Sequence, residues 1–535
     1  MSAWQNELRR QSYSRTFIWK TAIAIISCGL AAGFIVDRFT GSKANWLSQR
    51  LAIEFMKPEN PYTLGSQEES GKLPESLLSR LEDDSFDIEE FLSLSPYWKT
   101  RARGDALAQI ETYLAKRFPP ETSQMLGDYL ASLDGSDNPR RQRLDSLASE
   151  EPPPRYANRL LGEIEASNRY YFRAYPYFRA EGDAFDEARP SRERAVSMLL
   201  LDDDFEELQT LIDRPEYNEF LSTRIRLDIA KHQRDWIEVA KLLPLERISN
   251  FDPRMAIIAA ITALVWAAIL FRLGQFDSWA SRMGVLCGLA FIAGALSTLP
   301  TLLLVLIEDI YVGYQPDGDI VRTVAFFIGG VGLREEFCKL LLFLPFAIRL
   351  AKKSDERESL IIASFVGLGF AAEENIGYFS QSLATAAPGR FLTANFFHIG
   401  LTGMGGLYLC RAIRRGNYND FLYIFGILIV VHGLYNTLLS LPQFEIGPFF
   451  AMMVFILLSM QYFRELYSMS VQGGSGYSLS FLFVTGLSLI LATLIVFQSS
   501  QVGLGLSLRL VASEAIGSAL IAFMFFREFN ESLGT

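Results

Sequence analysis

Two of the three histidines in this 535-residue chain, His398 and His432, lie within apolar stretches long enough to cross a membrane. Two pairs of adjacent glutamates, which begin at Glu335 and Glu373, lie within two further stretches of this kind. An ionisable side chain at the centre of a bilayer costs roughly 2.5–3.5 kcal/mol on insertion scales, so such residues usually mark a function. The pattern therefore predicts a polar site, buried among membrane helices, that can carry out chemistry.

The spacing of the polar residues suits side chains that work together. On a helix, Lys339 lies one turn from Glu335 and from Glu336, at i+4 and i+3. The ammonium group can then neutralise one carboxylate and leave the other available. His432 and Asn436 are separated by four residues and share one helix face.

The other two polar stretches carry signs of close helix packing. Small residues, including Gly367 and Gly369, precede Glu374 and Asn375, and a run of glycines follows His398. Small side chains allow the backbones of neighbouring membrane helices to approach closely. Measured from the end of each stretch that is expected to lie outside the cytoplasm, Glu335, Glu374, His398 and His432 fall about 12–21 Å in, at 1.5 Å per helical residue. We therefore expect the four groups to lie at one level.

Two kinds of hydrolytic chemistry fit these residues. Two imidazoles and a carboxylate can hold a zinc ion with one position open for water. Bound zinc lowers the pKa of that water to near 7, and a second carboxylate can act as general base and acid. In a metal-free alternative, a desolvated glutamate activates the water while His and Asn side chains stabilise the oxyanion. Both alternatives predict hydrolysis of an acyl bond. The sequence lacks HExxH, GxSxG and P-loop patterns, so zincin, serine-hydrolase and NTPase classes have no support.

Composition predicts the elements that must position these groups. Half of the residues are hydrophobic and the mean hydropathy is +0.17, which is typical of a multi-pass membrane protein rather than a soluble domain. We predict an all-α fold, a polytopic transmembrane helix bundle with about ten spans. The predicted spans are 17–36, 255–273, 283–306, 322–348, 359–383, 390–412, 421–441, 446–463, 478–498 and 503–526.

Charge placement predicts the orientation. With a cytoplasmic amino terminus, every predicted inward end carries Lys or Arg, whereas the outward loops at 307–321 and 442–445 are poor in both. The prediction is a plasma (inner) membrane protein with both termini in the cytoplasm and residues 37–253 outside it. That segment holds 41 acidic and 29 basic residues and shows helical periodicity.

The same patterns predict four parts of the chain. Residues 1–36 form an anchor helix. Residues 37–253 form an acidic helical domain, with helix pairs as candidate repeats, that binds substrate or a protein partner. Residues 254–463 form the membrane core and 464–535 two additional helices. The absence of a basic excess argues against nucleic acid as a partner. All four cysteines lie in apolar stretches without a CxxC pair, so a cysteine zinc site or disulfide framework is not expected.

At this point the four polar motifs show a family resemblance. Glu335-Glu336-x-x-Lys339, Phe370-x-x-x-Glu374-Asn375, His398 with its glycine-rich tail and His432-x-x-x-Asn436 together resemble the PrsW-type intramembrane proteases, relatives of the CAAX-prenyl and Abi proteases. The similarity covers roughly 285–463. It implies cleavage of a membrane-anchored protein, such as an anti-sigma-like regulator, within or at the edge of the lipid bilayer. The relatives with an FxxxH motif have His where this chain has Glu374, which leaves the metal-free alternative open.

The resemblance also implies roles for individual residues. Glu335 or Glu336 would activate water, and Asn436 would assist the oxyanion. Glu374, His398 and His432 would form the metal site, with zinc as the expected ion. Supporting roles fall to Lys339, Glu373 and Asn375.

Two other functions fit parts of the pattern. A proton-coupled transporter could use a Glu–His relay and would show ion-coupled flux without a cleaved product, but the spans show no inverted halves with broken helices. A non-catalytic sensor or scaffold would use 37–253 as its receptor, and the intact set of Glu, His and Asn residues argues against a degenerate site.

Overall fold

A computed structural model describes residues 3–40, 80–83, 85–134, 136–276, 278–311, 319–353, 355–440, 446–469 and 476–531. The predicted all-α class is confirmed, because every regular element within these ranges is a helix. The chain divides into two compact units. Met1–Lys57 and Phe251–Thr535 make up the first, here called the membrane unit, and Pro58–Asn250 the second, here called the polar unit.

Among the described residues, the first fourteen helices comprise two in the membrane unit and twelve short ones in the polar unit. They are α1 (Ala3–Gln11), α2 (Arg15–Thr40), α3 (Ile88–Ser93), α4 (Ser95–Arg101), α5 (Gly104–Arg117), α6 (Pro120–Ser132), α7 (Pro139–Ala148), α8 (Ala157–Ser167), α9 (Tyr171–Ala184), α10 (Arg189–Leu201), α11 (Phe205–Ile212), α12 (Pro215–Asn218), α13 (Thr223–His232) and α14 (Trp236–Ser249).

Side-chain caps and two apolar clusters hold the polar unit together. Asp87, Asn138, Asp204 and Asp235 each accept backbone N–H groups in the first turn of the helix that follows, which satisfies donors that a helix start leaves unpaired. One apolar cluster extends from α3 through α8, and the second involves α9 to α13. The polar unit therefore has two adjoining cores of its own.

Most of the remaining described helices of the membrane unit are longer and more apolar. They are α15 (Pro253–Leu273), α16 (Arg282–Leu296), α17 (Thr298–Tyr311), α18 (Ile320–Ala325), a π-helical segment (Phe326–Gly332), α19 (Leu333–Leu350), α20 (Glu356–Ser382), α21 (Ala387–Leu392), α22 (Ala394–Arg415), α23 (Asn419–Ser440), α24 (Gly447–Ser468), α25 (Leu479–Val502), α26 (Leu504–Gly517) and α27 (Ala519–Glu531).

The chain is a multi-pass membrane protein. Within the described residues, seven helices are long and apolar enough to cross a membrane, or eight if the bent pair α26–α27 counts as one span. Two of the ten predicted spans, 322–348 and 390–412, are not among them. They correspond to helices that carry polar residues of the cluster, which lowers their apolarity. The number ten and the orientation stay predictions, and the loops 312–318 and 441–445 lie outside the described residues.

Helix α20 is the central element of the membrane unit. It is the most enclosed of the apolar helices and packs against α16 on one side and α22 on another. Two glycines make these contacts possible, as the small-residue run predicts. A Cβ atom on Gly369 would lie 1.9 Å from the Phe291 carbonyl oxygen, and one on Gly367 would lie 2.2 Å from the His398 carbonyl oxygen. Close packing at this point brings α20 and α22 together at the depth of Glu374 and His398.

Candidate active site

The first part of the polar cluster comes from α19. Lys339 is fully enclosed, and its Nζ lies 2.8 Å from Glu336 Oε1 and 3.3 Å from Glu335 Oε2. The structure thus places the lysine in contact with both glutamates, whereas the sequence analysis expected it to neutralise one of them. A π-helical segment, Phe326–Gly332, directly precedes α19, and such segments are frequent at functional sites.

His432 reaches these glutamates from α23. Its Nδ1 lies 2.8 Å from Glu336 Oε1, and its Nε2 lies 3.7 Å from Glu335 Oε2. Helix α23 comes this close because the next residue is a glycine: a Cβ atom on Gly433 would lie 2.4 Å from the Cα atom of Ile328 in the π-helical segment. With Nδ1–H donating to Glu336, the Nε2 lone pair is directed away from that carboxylate and is available to a ligand.

His398 enters from α22 and joins the same group. Its Nδ1 lies 2.8 Å from Lys339 Nζ, and its Nε2 lies 3.4 Å from Glu374 Oε2 on α20. The Lys339 ammonium also lies 3.9 Å from the centre of the Phe370 ring, a cation–π contact. The two imidazole rings are 5.5 Å apart between centroids. Four helices that are consecutive in the predicted order of spans therefore converge on one buried cluster, as the common depth predicts.

The predicted site residues divide into a group linked by side-chain contacts and a few residues that lie beside this group. Glu335, Glu336, Lys339, Glu374, His398 and His432 are linked by the contacts above, and Asn375 is fully enclosed beside Glu374. Asn436 is half-buried one turn beyond His432, on the same face, and no hydrogen bond to its side chain is found among the described residues. Glu373 is half-buried next to Glu374.

The donor atoms at the centre suit a divalent metal ion. One carboxylate oxygen of Glu335 and one nitrogen each of His398 and His432 lie within 4.8 Å of one another, and all three residues are buried. Ligands of one tetrahedral zinc ion lie about 3.3–3.5 Å apart, given bonds of about 2.0–2.2 Å, so a small inward movement would complete the set. This candidate group contains both histidines that the resemblance assigned to the metal site, and it contains Glu335 rather than Glu374.

Charge within the cluster also suits a cation. Glu335, Glu336 and Glu374 contribute three negative charges, whereas Lys339 and one further cation, Arg390, contribute two positive ones. With neutral imidazoles the net charge is −1, and uncompensated charge in a buried site is costly. A divalent ion would bring it to +1, and a bound hydroxide would neutralise it. Both ring nitrogens of His398 are engaged, Nδ1 by the Lys339 ammonium and Nε2 by Glu374, so a bound metal would have to displace one of these two contacts. With that exchange, the residues present fit a metal of the catalytic, open-position type.

Residues 283–460 match the model of the PrsW family of intramembrane metalloproteases. These residues form a PrsW-family domain. The domain occupies a third of the chain and contains all nine predicted site residues. No curated protein and no solved structure matches the chain. The predicted class of enzyme, an intramembrane protease, is confirmed.

The PrsW domain also contains three polar residues near the site that sequence reasoning missed: Arg390, Tyr378 and Asn395. Arg390 on α21 places Nη2 2.5 Å from Glu374 Oε2 and Nε 2.5 Å from Asn375 Oδ1. Its guanidinium stacks on the Tyr378 ring at 3.7 Å. Asn375 Nδ2 in turn donates to Asn395 Oδ1 at 2.7 Å. An arginine at the first position of a predicted span, eight residues before His398, was a signal that could have identified this network.

A substitution at Gly367 tests whether α20 must touch α22 at His398. Gly367→Ala would place a Cβ atom 2.2 Å from a backbone oxygen that cannot rotate away. We expect it to destabilise the membrane unit by about 1–3 kcal/mol and to displace His398. Thermal unfolding of the purified protein in detergent measures the effect. Gly377→Ala on the same helix, where nothing lies within 4 Å, is the matched control and should be neutral or slightly stabilising. Equal unfolding temperatures for the two variants would contradict the close contact.

Proposed function

We propose that this protein is a zinc-dependent endopeptidase that cleaves a membrane-anchored protein at the cluster formed by Glu335, His398 and His432. The observation that carries the proposal is the convergence of two imidazoles and a carboxylate within 4.8 Å, at a buried position in a PrsW-family domain. A bound zinc ion would supply an activated water and polarise the scissile carbonyl group. The residues around it have separate tasks.

Glu336 and Lys339 hold the ligands in place. Glu336 accepts the Nδ1–H group of His432, is paired with Lys339 and is only 2% exposed, so water has less access to it than to Glu374. Orientation of a metal-binding histidine by a carboxylate on its other ring nitrogen is the usual arrangement in such sites. Lys339 compensates the negative charge at a depth where water cannot.

Glu374 is the carboxylate that we assign to proton transfer. It lies beside His398, and a quarter of its side chain is exposed, whereas Glu336 is almost fully enclosed. A base of this kind takes the proton of the attacking water and returns it to the leaving amine. Compared with the roles that the resemblance implied, Glu335 and Glu374 exchange places. Asn436 keeps its proposed role, as an amide donor to the oxyanion one turn from His432.

Substrate and location follow from the same proposal. A site that four membrane helices enclose suits a substrate that is itself anchored in the membrane, such as an anti-sigma-like regulator. We propose that the acidic region 37–253 lies outside the cytoplasm, that both termini lie inside, and that the membrane is the plasma (inner) membrane. The polar unit would select the substrate or bind a partner protein.

The test is a search for cleaved products. Cells that express the wild-type protein should contain new amino termini in membrane-anchored proteins, and cells that express His432→Ala should lack them. A reporter built on such a cut should be cleaved by the wild-type protein in liposomes, and 1,10-phenanthroline should stop the reaction. Replacing the polar unit, 58–250, by a short linker should change the choice of substrate. Ion-coupled flux without any cleaved product would instead favour the transporter.

A further inference from the structure

Arg390 does more than compensate a charge, because its contacts connect α21 to α20 at the Glu374 carboxylate. The guanidinium uses a single edge, Nε with Nη2, to donate to Asn375 Oδ1 and Glu374 Oε2 on α20, both at 2.5 Å. Those two acceptors are adjacent in sequence, and a planar fork matches a pair of oxygens better than a single ammonium can. The arginine thus ties α21 to two neighbouring side chains of α20 at once.

The chain around Arg390 is built to hold the guanidinium in one place. Tyr378, one turn after Glu374, covers one face of the guanidinium at 3.7 Å. Two consecutive non-glycine residues, Leu383 and Ala384, adopt positive φ angles of 48° and 62° and turn the chain back over α20. Such backbone persists only where the surroundings hold it. Here Ala384 and Phe391 are fully enclosed in the apolar core.

The exposed fractions of the side chains show where Arg390 lies between the surface and the centre of the site. Tyr378 is 46% exposed, the side chains of Glu374 and Arg390 are 25% and 18% exposed, and His398 is 5% exposed. Exposure therefore falls from Tyr378 inward to the imidazoles, which places Arg390 between the outer rim and the centre. A carboxylate at this boundary could rotate away from His398 unless it were held.

We propose that Arg390 is a positioning residue that fixes the Glu374 carboxylate against His398. The inference rests on the proposed function, in which Glu374 takes the proton of the attacking water. Asn395 completes the arrangement: it accepts the Asn375 amide hydrogen at 2.7 Å, which leaves Asn375 Oδ1 directed at Arg390. Arg390 thus acts through Glu374 and does not itself contact the reacting bond.

The test uses the full-length protein in liposomes and a reporter that the wild-type protein cleaves. Arg390→Gln is expected to lower kcat about 10–100-fold, as loss of an orienting partner typically does, with KM changed less than about threefold. Its zinc content should equal that of the wild-type protein. Arg390→Lys restores the charge but not the second hydrogen bond and should recover part of kcat. Arg254→Gln, which removes an arginine paired with Asp252 elsewhere in the membrane unit, should have no effect.

A double substitution shows whether Arg390 acts through Glu374. In the Glu374→Gln background, Arg390→Gln should lower kcat by less than about twofold further, because the group that it positions is gone. Independent, multiplicative losses would overturn the inference, and so would a single Arg390→Gln variant as active as the wild-type protein. If that single variant does not fold, the comparison between Glu374→Gln and the double variant, in which no unpaired carboxylate remains, still decides. A wild-type protein that cleaves nothing would refute the proposed function instead.

Discussion

Replacing Glu335 with Gln is expected to remove zinc binding and nearly all cleavage together, whereas replacing Glu374 with Gln should lower cleavage strongly, to a rate that can still be measured, and leave the zinc content unchanged. Glu335 is the carboxylate that lies with both imidazoles in the group that could hold a metal ion. Glu374 touches one imidazole and is paired with Arg390. The two glutamates therefore have separable tasks in the proposed site, although the sequence places them in similar surroundings.

The expected losses are large in both variants. Removal of a ligand removes the stabilisation that a metal gives to the transition state, which is worth several kcal/mol, so Glu335→Gln should lower kcat/KM at least about 10³-fold. Loss of a general base typically costs about 10²–10⁴-fold, and Glu374→Gln should fall in that range. Elemental analysis of the dialysed protein measures zinc per chain, and cleavage of a membrane-anchored reporter measures activity.

A control variant, together with the result that would reverse the two assignments, makes the comparison of Glu335→Gln with Glu374→Gln decisive. Glu358→Gln removes a glutamate of the same unit that is paired with Lys353, and it should change neither quantity. If Glu374→Gln lost the zinc and Glu335→Gln kept it, the ligand set implied by the family resemblance would be correct and the geometric assignment wrong. A wild-type protein that cleaves without any bound metal would favour the metal-free glutamate mechanism.

The local part of the site could be predicted from sequence because helix geometry alone determines it. Lys339 reaches both Glu335 and Glu336 since residues three and four apart share a helix face. The meeting of His398 and His432 followed from their similar depth in consecutive spans, together with glycines that let the backbones approach. These inferences needed only the rise per residue and the position of each apolar stretch.

The choice of carboxylate at the centre depended on structure that the sequence does not indicate. Neighbouring residues on a helix diverge by about 100°, so either glutamate of a pair can face a given point. The π-helical segment Phe326–Gly332 sets the rotation of α19, and its composition does not distinguish it from an α-helix. Arg390 reaches Glu374 through a turn at Leu383 and Ala384, two residue types that seldom adopt positive φ angles. Nothing in their identity predicts that turn.

Replacing Lys339 with Gln is expected to give the largest loss of stability among single substitutions in the cluster. The Lys339 side chain is fully enclosed and is bonded to Glu335, Glu336 and His398. Removing one partner of a buried ion pair typically costs about 3–5 kcal/mol, because the other charge stays buried without compensation. Here the substitution would leave the charges of two glutamates, Glu335 and Glu336, buried without the lysine that compensates them. Thermal unfolding in detergent should show either a large fall in the unfolding temperature or no folded protein.

Two further variants separate buried charge from lost packing. The double variant Lys339→Gln/Glu336→Gln removes one charge of each sign, so it should recover much of the stability, while the amide oxygen introduced at position 336 can still accept the His432 Nδ1–H group. Lys353→Gln breaks a pair at the surface, where the lysine side chain is 40% exposed, and should cost less than about 1 kcal/mol. If Lys339→Gln were as mild as Lys353→Gln, the cluster would not depend on a buried cation. In that case its glutamates would have to be protonated, and the charge balance that favours a divalent ion would no longer hold.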